Sequence, residues 1–154
     1  MLVGRITPGR WVLKIVSVAY RKFYLQQRPI SHRENDMPAF EIDTNVSEDK
    51  ITPQITMELT ELLAEMLSLD VKFLSVIFRP NPRMVWAGTA EPCAVCRLTA
   101  INNIDEEHNR GYTEKIFKFM HDKFGVPGDR MYSIFVTPGA SNVGYTGRLF
   151  SDMS

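Results

Sequence analysis

A chain of 154 residues, 44% hydrophobic and 23% charged, has room for one soluble domain with a real core, and no apolar run long enough to insert in a membrane. Its zero net charge conceals an asymmetry: residues 1–36 carry seven basic side chains against Glu34 and Asp36, which leaves a mildly acidic remainder without the clustered positive charge that nucleic acid requires. Two cysteines exclude a small disulfide-stapled scaffold and favour a reducing compartment.

Residues 1–33 hold all seven basic side chains and no acidic one, interleaved with Trp11, Val12, Leu13, Ile15 and Val16. Three readings fit this leader. A mitochondrial transit peptide has this composition. A secretory signal fits less well, since Lys14 interrupts the apolar stretch and no small-residue cleavage site follows. The third reading is an assigned start upstream of a working initiator at Met37. Composition changes near Asn35–Met37, which sets a boundary between a leader, 1–36, and a domain, 37–154.

From there the chain alternates strands and helices. Phe40, Ile42 and Thr44 alternate with Glu41 and Asp43 as a half-buried strand does, and Asn45 opens a turn. Thr52 and Pro53 form an N-cap and first helical residue, with Ile55, Leu59, Leu62, Leu63 and Met66 at helical spacing. Phe73 to Phe78 is a short apolar run stopped by Arg79-Pro80-Asn81-Pro82, and is assigned as a strand. The pattern repeats: a strand from Ala94 to Ile101, a helix from about Glu106 to Phe124 ended by Gly125 and Pro127, and a strand from Met131 to Val136. Asp70-Val71-Lys72-Phe73 matches Asp129-Arg130-Met131-Tyr132, a pseudo-repeat of about 59 residues.

The resulting fold class is α/β, with two β-α-β units forming a four-stranded mixed sheet and two helices on one face. The second and fourth strands are apolar on both alternating faces, so the other face needs a cover. Self-association is the economical one.

Four separated motifs agree in order and spacing: Met37-Pro38-Ala39-Phe40, Asp43-Thr44-Asn45-Val46, Glu91-Pro92-Cys93-Ala94-Val95-Cys96 and Asn142-Val143-Gly144-Tyr145, with Asn109-Arg110 between them. Residues 37–154 thereby resemble the macrophage migration inhibitory factor (MIF) and D-dopachrome tautomerase family. The resemblance implies a homotrimer with active sites between subunits, no cofactor, and keto-enol tautomerisation of small aromatic substrates such as phenylpyruvate or dopachrome. It implies that Pro38, as an amino-terminal residue, is the catalytic base. It also implies that Ile101 and Val143 line the pocket, that Tyr132 enters from the neighbouring subunit, and that Tyr145, where many members have tryptophan, and Phe150 form aromatic walls.

Two departures stand out. The family's carboxylate-binding lysine falls on Leu69, and its asparagine two residues after the pocket tyrosine falls on Ile134. The pocket is therefore less polar than the family pattern, and free carboxylate substrates are expected to bind poorly.

The chemistry explains the need for a free terminus. Taking a proton from carbon beside a carbonyl requires a base that is neutral near pH 7, and an apolar pocket keeps an amine neutral by disfavouring its ammonium form. Inside a chain, proline nitrogen is an amide with no such basicity.

Other candidate sites read as packing or surface. Cys93 and Cys96 resemble a thiol-disulfide motif, but residues three apart on a strand face opposite ways, and the reading is packing cysteines. His32, His108 and His121 are too few and too scattered for a zinc site, so no metal is expected. His108 and His121 are expected at the surface. Asp105-Glu106-Glu107 suits a helix N-terminus.

Two functions remain open: a tautomerase, and a cytokine-like protein that binds a cell-surface receptor. The receptor-contacting arginine and aspartate of MIF fall on Glu48 and Asn81, which weakens the second. The expected location is cytoplasmic, or extracellular by a route without a conventional signal, with mitochondrial targeting as an alternative.

Overall fold

The computed structural model describes residues 37–153; the leader, with Trp11 and His32, lies outside the described residues. Strand β1 (Ala39–Thr44) alternates as its sequence dictates, with Phe40, Ile42 and Thr44 buried. Its last residue is a buried threonine with full hydrogen bonding: Thr44 Oγ1 donates to Cys93 O at 2.7 Å and accepts from Val46 N–H at 3.1 Å.

Helix α1 (Pro53–Leu67) starts where Thr52 Oγ1 accepts the Ile55 N–H at 3.3 Å, with proline at the first helical position. It ends at Ser68, which adopts the left-handed conformation at φ 56°. A 3-10 turn over Val71–Phe73, capped by Asp70, leads into β2 (Ser75–Pro80).

β3 (Ala94–Thr99) precedes helix α2 (Glu106–Phe124), whose N-cap Asp105 accepts the His108 N–H at 2.9 Å and whose C-cap is Gly125 at φ 68°. β4 (Met131–Val136) completes the main sheet, and β5 (Gly144–Tyr145) pairs with β6 (Arg148–Leu149) in a small hairpin.

The main sheet has the order β2-β1-β3-β4, with β1 and β3 antiparallel at its centre and each flanked by its own parallel partner. This is the mixed four-stranded sheet of two β-α-β units expected from the sequence. Leu59, Leu63 and Leu67 of α1 and Tyr112, Ile116 and Met120 of α2 cover one sheet face, meeting Phe40, Ile42, Cys96 and Leu98. Lys123 of α2 pairs with Glu58 of α1 across the outer surface.

Four sequence expectations need correction. Phe73 and Leu74 lie before β2, not in it, because Asp70 caps a turn through Phe73; the strand instead runs on through Arg79 and Pro80. Proline is tolerated there because β2 is an edge strand. The offset of about 59 residues therefore does not hold through the strands, since Phe73 precedes β2 while Tyr132 lies within β4. β3 ends at Thr99 rather than Ile101, as the chain turns through Asn103 at φ 58°.

The fourth concerns the uncovered sheet face. Its register sets Glu41 and Asp43 of β1 beside Arg79 of β2 and Arg97 of β3, in a network of ion pairs. Apolar exposure is concentrated on β4, at Tyr132, Ile134 and Val136, with Ile77 on the opposite edge. The face is charged at its centre and apolar along β4, as the sequence reading had it for that strand; β2 departs from the reading, because Ser75 and Arg79 share its outer face with Ile77.

Candidate active site

Pro38 immediately precedes β1 and is buried; its carbonyl accepts the Ser75 N–H at 3.1 Å, which ties it to the start of β2. The pairing of Ala39 with Thr99 brings the start of β1 to the end of β3, and Ile101 follows two residues later. Ile101 O in turn accepts from Thr137 Oγ1 at 3.0 Å, just beyond the end of β4. Pro38, Ile101 and the exit of β4 thus share one end of the sheet.

The C-terminal segment leaves from that end. Phe150 N–H donates to Val143 O at 3.0 Å, and the Tyr145 and Phe150 rings stack with centroids 6.0 Å apart and planes within 3°. Phe150 is fully buried while Tyr145 is 42% exposed, so the stack presents one open aromatic face. The hairpin β5–β6 supplies this geometry, and Gly147, at φ 80°, permits its tight turn.

Leu69, expected from the sequence as a site residue, has its side chain buried in the main core. Its environment is that of a packing residue, and it offers no charge to a substrate.

Tyr132 stands apart. It pairs with Val95 at the start of β4, whereas Val136 pairs with Thr99 at the Pro38 end. Four residues of extended chain separate the two levels by roughly 13 Å. Within one chain Tyr132 and Pro38 are not brought together. The Tyr132 ring is 62% exposed on the uncovered sheet face and packs on Trp86, with centroids 4.6 Å apart at 57°.

Trp86 was not singled out in the sequence. It sits in the β2–β3 connection, in a hairpin whose Trp86 and Thr89 exchange backbone hydrogen bonds at 3.0 Å. The turn residues Ala87 and Gly88 both have positive φ, as a two-residue hairpin loop of this hand demands. The Ala-Gly pair was the available signal, weaker than the usual Asn-Gly.

Cys93 and Cys96 are both free and buried. Burial, aided by the nearby Asp43 carboxylate, pushes the Cys96 thiol up to about 12, so it is a poor nucleophile near neutrality. His108 and His121 are on the surface, each paired with an aspartate, Asp105 and Asp122 respectively. Among the described residues no helix is long and apolar enough to cross a membrane.

Comparison with known proteins agrees with this architecture. The family model for macrophage migration inhibitory factor matches residues 37–151. Macrophage migration inhibitory factor of Rattus norvegicus is 31% identical over 115 residues, which cover 75% of this chain and 100% of the relative. A homolog from Trichuris trichiura is 32% identical over 114 residues, covering 74% of this chain and 100% of the relative. Among solved structures, the factor from Trichinella spiralis superposes with a TM-score of 0.69 at 25% identity, over 72% of this chain and 98% of that one. The homologue from Prochlorococcus marinus gives a TM-score of 0.66 at 24% identity, over 73% and 98% respectively. The chain belongs to the macrophage migration inhibitory factor family.

Proposed function

We propose that residues 37–154 form a keto-enol tautomerase for small aromatic substrates, in which the secondary amine of Pro38 is the base once Pro38 is the amino-terminal residue. The observation that carries this reading is the start of the family match at Met37, one residue before a buried Pro38. A methionine followed by proline at the start of the family's own span is the arrangement that frees a secondary amine.

Burial favours the neutral amine, which takes a proton from the carbon beside the substrate carbonyl and returns it to the other end of the enol system. In this reading Ile101 keeps the Pro38 end of the sheet apolar, and Val143 with the stacked pair Tyr145 and Phe150, on the segment that follows β4, form the other apolar walls. Tyr132 comes from a neighbouring subunit of a homotrimer, which the roughly 13 Å separation within one chain supports. Leu69 contributes apolar packing where other members carry a charge. Residues 1–36, wherever they remain attached, convert the base to an amide and abolish turnover.

A receptor-binding role has less support. Asn81, one of the two positions aligned with the receptor-contacting pair, uses its Oδ1 to accept the Arg83 N–H at 3.0 Å, and Glu48 carries the sign opposite to arginine.

The test compares the full chain, the chain beginning at Pro38, and its Pro38→Gly variant for phenylpyruvate and dopachrome methyl ester turnover. Turnover is expected only with a free Pro38, and Pro38→Gly is expected to lose about a hundredfold or more with its circular dichroism unchanged. Undiminished turnover by the full chain or by Pro38→Gly refutes the reading.

A further inference from the structure

We propose that Trp86 is a positioning residue for substrate: at the head of a clamped hairpin it packs on Tyr132 and holds that ring at the angle a planar aromatic substrate meets. The inference rests on the proposed function, because it takes Tyr132 as part of the pocket.

The clamp comes from two sides. Asn45, at the end of β1, donates through Nδ2 to the carbonyls of Ala90 at 3.0 Å and Glu91 at 2.9 Å, with Met84 at 3.3 Å, and its Oδ1 accepts the Cys93 N–H at 2.8 Å. Arg130, one residue before β4, donates to the carbonyls of Pro92 at 3.1 Å and Glu91 at 3.0 Å, with Thr89 at 3.4 Å. The Arg130 side chain is only 11% exposed. Two side chains therefore satisfy the carbonyls of an otherwise irregular connection, and one of them lies two positions from Tyr132. The hairpin and the start of β4 are thereby fixed to each other.

This arrangement gives Trp86 a purpose that packing alone does not. Within one chain most of the Tyr132 ring is exposed, so a packing neighbour is what fixes its rotamer. Trp86 supplies the ring contact, at 4.6 Å. Its own indole is half-buried, so the pair forms a tilted aromatic corner. A corner of two rings accepts a flat, electron-rich ligand by edge and face contacts.

Trp86 is also the sole tryptophan after residue 36, so its emission reports on this corner. In the chain beginning at Pro38, Trp86→Ala is expected to raise KM for dopachrome methyl ester about fivefold with little change in kcat, because the contact serves binding rather than the chemical step. Trp86→Phe is expected to restore most of that loss. In the Pro38→Gly variant, which keeps Trp86 and replaces the secondary amine with a primary one, the same ester is expected to quench tryptophan emission in a saturable way.

An unchanged KM in a folded Trp86→Ala protein overturns the proposal. So does equal loss of kcat in both Trp86 variants, or the absence of saturable quenching, which decides the matter even where Trp86→Ala does not fold. Failure of the catalytic reading shows itself separately, as an unaltered Trp86 protein with a free Pro38 and no turnover.

Discussion

At the residue scale, Leu69 decides more than its burial alone. A core leucine stands at the position where the family resemblance implies a carboxylate-binding lysine, and the structure gives it no route to that role. A hydrogen bond to a charged group contributes about 1.5–3 kcal/mol, so its absence is expected to favour dopachrome methyl ester over free phenylpyruvate by about tenfold or more in kcat/KM. Comparable constants for the two contradict this account. Asp105 offers a second test. The His108 backbone N–H, followed by the His108 ring, holds its carboxyl below the ordinary aspartate range. A carboxyl lowered by folding stabilises the protein above its unfolded pKa, and that contribution is lost as pH falls through the folded value. Asparagine keeps the cap but does not titrate. Wild type is therefore expected to melt above Asp105→Asn at neutral pH, with the gap closing as pH falls below the ordinary aspartate range. A gap independent of pH refutes the charge contribution.

At the scale of elements, the two helices end alike in backbone and differently in sequence. Both C-caps are left-handed, with glycine at 125 and serine at 68. A side chain in that conformation costs roughly 1–2 kcal/mol, partly offset by the greater freedom of unfolded glycine. Ser68→Gly is expected to stabilise by about 0.5–1 kcal/mol and Gly125→Ala to destabilise by a similar amount, as read from denaturant midpoints. The same caps explain what was legible. Thr52-Pro53, Asp105 and Gly125 are local signals, and both helices sit where those residues place them. β2 was misplaced because Phe73 and Leu74 are as apolar as a strand, while the capping turn set by Asp70 wins locally. β5 and β6 are two residues each and leave no periodicity to read. Of the candidate site, the motifs contain Pro38, Val143 and Tyr145, whereas Tyr132 is implied only by the family resemblance. The Trp86 contact was illegible because it joins a connection to a strand through tertiary clamping by Asn45 and Arg130.

At the scale of the whole molecule, the uncovered sheet face sets the assembly question. Its centre satisfies itself through ion pairs among Glu41, Asp43, Arg79 and Arg97, while Tyr132, Ile134 and Val136 line one flank. An apolar flank beside a neutralised centre favours a neighbour over that edge. If the neighbour also delivers Tyr132 to a different subunit's Pro38, catalysis belongs to pairs of subunits. Mixing Pro38→Gly subunits with Tyr132→Ala subunits tests this directly. In a cyclic trimer assembled at random from equal parts, a given site draws an intact proline from one variant and an intact tyrosine from the other in roughly a quarter of cases. Renatured mixtures are therefore expected to regain about a quarter of the wild-type rate at low substrate, although each variant alone is impaired. The position of Tyr132 at the opposite end of the sheet from Pro38 makes this the distinguishing outcome, because a site built within one chain has nothing to regain on mixing.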